Sequence, residues 1–148
     1  ENPTYGTVKV LAAFRDLNRL NVSAARGGIA WLAEEQHADG SWGGGSSVSD
    51  RSGDSPGSIE ETALVLDLLA SLPAGHVDRS QIARGFDWLS ARVEDGRFRS
   101  PSPIGFYFAK LWYHERLYPL IFAVSALGRA VSNRASSIRA DESPSVRE

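Results

Sequence analysis

The sequence predicts an all-α fold of about five helices joined in hairpins, on three observations. Apolar residues recur at helical spacing through most of the chain, capping signals open several of these stretches, and one helix-plus-turn pattern occurs twice.

With 148 residues, 42% of them hydrophobic, there is enough apolar surface for one core and too little chain for two. The net charge of −2, with the signs interspersed, lacks the basic stripe that nucleic acid requires, so no nucleic-acid partner is expected. The absence of cysteine removes disulfides, thiolate metal ligands and cysteine nucleophiles. The 3 histidines are scattered, so neither a metal site nor a cofactor is expected. No apolar run reaches the roughly eighteen residues that would span a membrane. The chain contains no methionine and opens on Glu1, so it is expected to be a fragment or a processed product.

The elements follow in order. From Tyr5 to Leu20, Val8, Leu11, Phe14, Leu17 and Leu20 recur every three residues and predict a first amphipathic helix. Ser23 is placed to cap a second, with Ala25, Ile29 and Leu32 on its inner face, Trp31 at its flank and an end near Gln36. Gly43 to Gly57 is nearly all Gly, Ser and Asp, a composition that cannot offset its own ordering entropy, and predicts a mobile loop. Ser58 and Glu61 form a capping box ahead of an apolar helix ended by Leu72-Pro73. Apolar on more than one side, it predicts a central position. Asp78 and Gln81 open a shorter helix with Ile82, Phe86 and Leu89 inward, stopped at Asp95-Gly96.

Half of the chain's aromatic residues lie between Phe106 and Phe122. No single helical stripe holds Phe106, Phe108, Trp112 and Tyr113, and Lys110, His114, Glu115 and Arg116 interrupt the apolar pattern, which predicts an extended lead-in to a helix. Such density has two readings, packing that closes a core or the wall of a cavity for an apolar ligand. Leu117 to Val131 predicts the last helix, with Pro119 in its first turn. The domain is expected over 1–133, with 134–148 a flexible tail.

Arg26 to Trp42 and Arg84 to Phe98 echo each other, each a helix running into Asp-Gly-x-aromatic. A glutamine can satisfy orphan backbone groups at a helix end while the aromatic covers that end, a device for stability rather than chemistry. Repeated helical hairpins point to a toroid or solenoid.

Gly27, Trp31-Leu32, Gln36 and Gly40-Ser41-Trp42 resemble the QW repeat of the squalene-hopene and oxidosqualene cyclases. Tyr5-Gly6-Thr7 with Val10-Leu11, then Glu61-Thr62-Ala63, Phe106-Tyr107, Tyr113 and Leu127-Gly128-Arg129 follow in the order of those enzymes' C-terminal stretch. The resemblance covers Pro3 to Ala130. It implies an incomplete segment of an α/α barrel, cut from a longer isomerase that cyclises a polyprene such as squalene by a carbocation cascade. It further implies a cytoplasmic protein with peripheral contact to the inner membrane, and the rest of the parent chain as a partner. Tyr5, Phe106 and Tyr113 resemble cavity aromatics, with Phe108 and Trp112 either joining them or serving as core. Gln36, Gly40 and Trp42, and in the second repeat Gly96 and Phe98, resemble the structural QW positions.

The family's initiating acid, in a DxDDTA motif, is absent here, so no catalytic residue is expected and the fragment alone should be inactive. Ser58 to Ala63 echoes that motif, but Glu61 reads as the capping box. The sequence departs from the family at Lys110, at Arg92 in the glutamine position, at Phe98 in place of tryptophan and around Glu115-Arg116. These departures imply a divergent relative whose substrate or activity differs, and Lys110 with the missing acid motif are the features in favour of a second reading, a non-catalytic toroid that serves as scaffold or lipid-binding module. A protein prenyltransferase β subunit would need a zinc-binding cysteine. Too few hairpins to close a toroid should leave apolar faces exposed, so poor solubility or oligomerisation is expected.

Overall fold

A computed structural model describes residues 2–43, 57–100, 102–106 and 111–142. The order is α1 (Pro3–Asp16), α2 (Ser23–Glu34), α3 (Ile59–Leu69), α4 (Arg79–Glu94), a 3₁₀ turn (Arg97–Arg99), strands β1 (Ser102–Phe106) and β2 (Leu111–Glu115), and α5 (Leu117–Glu142). The architecture is all-α apart from one short ribbon, with consecutive helices packed in pairs of the kind an incomplete α/α barrel contributes. Among the described residues no helix is long and apolar enough to cross a membrane.

Helix α3 is the centre. Seven successive or nearly successive residues, Thr62 to Leu66 with Leu68 and Leu69, are buried, which a helix achieves only when neighbours cover it on several sides. Those neighbours are α1, α4 and, most extensively, α5. Ser58 caps the helix as expected, its Oγ accepting from the Glu61 amide at 3.1 Å. The reciprocal bond differs from a standard capping box. Glu61 Oε2 accepts from the Ser58 hydroxyl at 2.9 Å, because the Ser58 amide donates instead to the Trp42 carbonyl at 3.0 Å.

Helix α1 ends four residues before the Leu20 that its periodicity suggested. Asn18 takes a left-handed φ of 55°, and the amides of Asn18 and Arg19 donate to the carbonyls of Arg15 (2.9 Å) and Phe14 (2.7 Å), a Schellman closure. Leu17 is left 70% exposed while Leu20 re-enters the core beyond the turn. Ser23 is the first helical residue of α2, and Val22 stands at the cap without a side-chain bond. Ala25, Ile29 and Leu32 are buried as expected. In α4, Asp78 caps by accepting from the Ser80 amide at 2.8 Å. Its buried face is Gly85, Trp88 and Leu89, with Ile82 and Phe86 at the margin.

The aromatic segment opens with an antiparallel ribbon in which Phe106 pairs with Leu111, Gly105 with Trp112 and Ile104 with Tyr113. Extended backbone does lead into α5, as strands rather than a single stretch. Helix α5 continues to Glu142, so residues 134–142, expected as tail, are helical. The serines there interrupt the apolar pattern without ending the helix, and the hydroxyls of Ser132, Ser136 and Ser137 each donate to the carbonyl four residues earlier at 3.0 to 3.1 Å. Arg129 anchors α5 to Asp67 of α3 at 2.5 Å. The expected loop at 44–56 lies outside the described residues, as do Phe108, Lys110 and 143–148.

Candidate functional site

Two groups of side chains sit on opposite roles, one bracing helix ends and one presenting aromatic faces. The brace starts at the C-terminus of α2, where the carbonyls of Leu32 and Ala33 have lost their helical partners. The Trp42 indole N–H donates to Leu32 O at 2.7 Å, and the Gln81 amide donates to Ala33 O at 3.1 Å. Gln36 does something other than cap its own helix. Its Nε2 donates to Gly40 O at 3.0 Å and to Gln81 O at 2.9 Å, while its Oε1 accepts from Arg84 at 2.8 Å. It thus ties the turn to the start of α4.

Trp42 is fully buried, and Thr62 holds its backbone on both sides. The Thr62 hydroxyl accepts from the Trp42 amide at 2.9 Å and donates to the Trp42 carbonyl at 3.1 Å. Gly40 has φ +94°, and a Cβ there would lie 2.6 Å from Arg84 O, so only glycine fits. Gln36, Gly40 and Trp42 are therefore brought together in one turn.

Within that turn His37, Ser41 and Asp39 meet. The Ser41 hydroxyl donates to Asp39 Oδ1 at 2.6 Å, with His37 Nδ1 at 3.1 Å from Ser41 Oγ. The composition is that of a hydrolytic triad, but the order is not: Asp39 contacts the serine rather than the histidine, and Ser41 is fully buried. Asp39 also accepts from the Trp88 indole at 2.9 Å. Desolvation acts to raise its pKa, and the bonds from Ser41 and Trp88, with His37 nearby, outweigh it and hold the carboxyl below its ordinary value.

The second repeat is built differently. Gly96 is left-handed at φ 74°, but Phe98 is only half-buried, with the Arg99 guanidinium 5.3 Å from its ring centre. Arg92, in the glutamine position, lies 5.1 Å over the Trp88 ring and pairs loosely with Asp95 at 3.7 Å.

The aromatic group joins α1 to α5. Tyr5, 43% exposed, has the Lys9 ammonium 5.1 Å from its ring centre, and Phe122 lies 5.9 Å from the same ammonium. Tyr118 meets Phe122 edge-on at 5.5 Å. Lys9 is in no ion pair among the described residues. Phe106, Trp112 and Tyr113 lie on the ribbon that precedes α5. Sequence periodicity did not single out Lys9, Tyr118 or Phe122 as partners of Tyr5. Tyr5 and Lys9 share a helix face four residues apart, which is a legible signal, but their meeting with α5 is tertiary.

Glu60 was also missed. Its Oε2 is buried without a hydrogen-bond partner, and burial, with the charge of Glu61 second, raises its pKa to about 7. A carboxyl of this kind exchanges protons near neutrality. Among the described residues no cluster of three or more His, Asp or Glu is placed to hold a metal ion.

Compared with known proteins, residues 1–132 match the squalene-hopene cyclase C-terminal domain. An ent-copalyl diphosphate synthase from Streptomyces sp. (strain KO-3988) is 32% identical over 127 residues, covering 84% of this chain and 21% of that synthase. The chain thus spans about a fifth of the length of that curated relative. No solved structure matches it.

Proposed function

Because the chain belongs to the squalene-hopene cyclase C-terminal domain family, we propose that it forms part of a longer terpene cyclase that cyclises a polyprene such as squalene by a carbocation cascade. The observation that carries this reading is the match over residues 1–132, which takes in Tyr5 and the whole aromatic stretch from Phe106 to Phe122. In this reading Tyr5, Phe106 and Tyr113, with Phe108 and Trp112, supply cavity wall. Each aromatic face that a cationic centre passes in a water-poor pocket contributes about 0.5–2 kcal/mol of attraction. The chain holds no Asp-x-Asp-Asp, so the initiating proton comes from elsewhere in the longer polypeptide. Gln36, Gly40 and Trp42 tie the end of α2 to the start of α4, Gly96 and Phe98 stand at the corresponding positions after α4, and an apolar substrate reaches the cavity by peripheral contact with a membrane.

A second reading keeps the cyclisation and changes the substrate to a prenyl diphosphate. Two observations favour it: the relative is named for copalyl diphosphate, and the Lys9 ammonium stands beside Tyr5 and Phe122 with no ion pair among the described residues. An ammonium repels a carbocation and attracts a diphosphate. The test is to incubate the longer polypeptide with squalene and, separately, with a linear prenyl diphosphate, alongside Phe106→Ala and Tyr113→Ala. Cyclised product that is lost or altered in both variants supports the wall assignment, and the substrate consumed decides between the readings. A folded protein that cyclises neither points to a non-catalytic toroid.

A further inference from the structure

Helices α1 and α5 both run parallel to α3, one on each flank, and the N-terminal ends of the three meet around Glu60. On one flank the Arg15 guanidinium donates to the Ser71 hydroxyl at 2.6 Å. On the other, Asp67 pairs with Arg129, and the Asn133 amide donates to the Ala70 carbonyl at 2.7 Å. These bonds set the registers. Seven residues upstream of Asp67 and Arg129 stand Glu60 and Phe122, and eleven upstream of Ser71 and Arg15 stand Glu60 and Thr4. Glu60, in the first turn of α3, is therefore level with Thr4 and Tyr5 of α1 and with Phe122 of α5. The Lys9 ammonium lies 5.1 Å from the Tyr5 ring centre and 5.9 Å from that of Phe122, so the two flanks do come together at this end. Glu60, Ala63 and Asp67 also share one stripe of α3, the stripe that Asp67 turns toward α5.

The Glu60 carboxyl keeps an enclosed oxygen, Oε2, without a hydrogen-bond partner, whereas Glu61 accepts from Ser58 and Asp67 from Arg129. Around it stand Glu61 on its own helix, Tyr5 and Lys9 on α1, Arg92 and Asp95 at the end of α4, and Arg116 and Tyr118 at the start of α5, with the pair of Asp67 and Arg129 two turns away. We infer that Glu60 is the base that ends the carbocation cascade, taking a proton from the carbon next to the last cationic centre. The inference rests on the cyclase reading. In that step the C–H bond breaks, its electron pair becomes the second bond of an alkene, and the proton passes to the Glu60 carboxylate, which releases it to water as the product leaves. One proton enters from the initiating acid of the longer polypeptide and one departs here, so substrate and product are isomers. Burial raises the pKa of Glu60 to about 7, which weakens it as an acid and strengthens it as a base. Such a carboxyl is unsuited to protonating an alkene and suited to accepting a proton. An approaching cation favours the ionised form, so the carboxylate is present when the cascade reaches it.

The test uses the longer polypeptide, given squalene and, separately, a linear prenyl diphosphate. Consumption of either by the wild type upholds the cyclase reading, and consumption of neither overturns that reading and this inference with it. In Glu60→Gln, with far-ultraviolet circular dichroism unchanged, substrate should still be consumed, since initiation lies elsewhere. Its cyclic alkene should fall about a hundredfold in favour of water-captured alcohols or partly cyclised products. Glu60→Asp keeps the carboxyl and should restore part of the alkene. The alkene share of the wild-type product should fall as pH is lowered through about 7, and that of Glu60→Gln should stay flat. Dodecyldimethylammonium, whose charge stands in for the carbocation, gives a readout without turnover. Above about pH 7 Glu60→Gln should bind it about tenfold more weakly than the wild type, and well below that pH the two should bind it alike. An unchanged alkene yield in Glu60→Gln overturns the inference. So does a folded Glu60→Gln that consumes no substrate, a wild type that forms only alcohols, or equal affinity for the ammonium ion above pH 7.

Discussion

The Trp42 indole N–H donates to the Leu32 carbonyl at 2.7 Å, across 10 residues of sequence, so a fully buried side chain closes the open end of α2. Trp42→Phe keeps most of the apolar volume and loses that bond. Leaving a buried carbonyl unpaired costs about 1–3 kcal/mol, whereas Trp42→Ala adds a cavity and should cost about 3–5 kcal/mol. Urea denaturation of the two variants checks both values. Equal stability of wild type and Trp42→Phe would show the bond to be energetically silent.

Two helical glycines should respond oppositely to alanine. At Gly85 a Cβ would lie 2.7 Å from a Leu66 methyl and 2.9 Å from the Trp42 ring, so Gly85→Ala should destabilise by about 1–3 kcal/mol through overpacking. Gly27 meets nothing within 4 Å, and Gly27→Ala should stabilise α2 by about 0.5–1 kcal/mol. Thermal melts that move in the same direction would contradict the packing of α4 on α3 and Trp42.

Glu60 sets a pH dependence. Its folded pKa is about 7 against an ordinary 4.5, so between those values the folded chain keeps a proton that the unfolded chain has released. Stability from this group is therefore present below about 4.5, falls as pH rises through the window, and is gone above about 7. Glu60→Gln should flatten that fall and raise the melting temperature at pH 8. A lower melting temperature for the variant at pH 8 would mean that the ionised carboxylate is stabilised in the fold. Asp39 acts at the other end. Its folded pKa lies below the ordinary 3.8, so its contribution is present above that value and is lost as pH falls through the folded one.

Lys9 bears on the substrate. If the longer polypeptide takes a prenyl diphosphate, Lys9→Gln should raise KM several-fold with little change in kcat, since one exposed charge contact is worth about 1 kcal/mol. If it takes squalene, removing a positive charge beside Tyr5 should leave KM unchanged. Steady-state kinetics on both substrates separates the cases, and an unchanged KM for the diphosphate would remove Lys9 from its recognition.

Local chemistry made much of this legible. The Ser58 and Asp78 caps, the inner face Ala25, Ile29 and Leu32, and the central place of α3 all follow from patterns within a few residues, because helix periodicity and capping are short-range. The Gln36 to Trp42 turn was visible as a motif for the same reason. The end of α1 at Asn18 was written locally too, yet Leu17 and Leu20 continued the apolar rhythm past it and masked the stop.

By itself, then, the sequence determined the kind of elements, most of their starting points and the family. Only the tertiary structure decided that Gln36 serves α4 while Gln81 serves α2, that Tyr5 meets Phe122 through Lys9, that the Oε2 atom of the half-buried Glu60 is enclosed without a hydrogen-bond partner, and that one face of α5 stays open. Each of these depends on which residues distant in sequence the packing around α3 brings within a few ångströms. Periodicity along one helix assigns a residue to a face. It carries no information about what stands opposite.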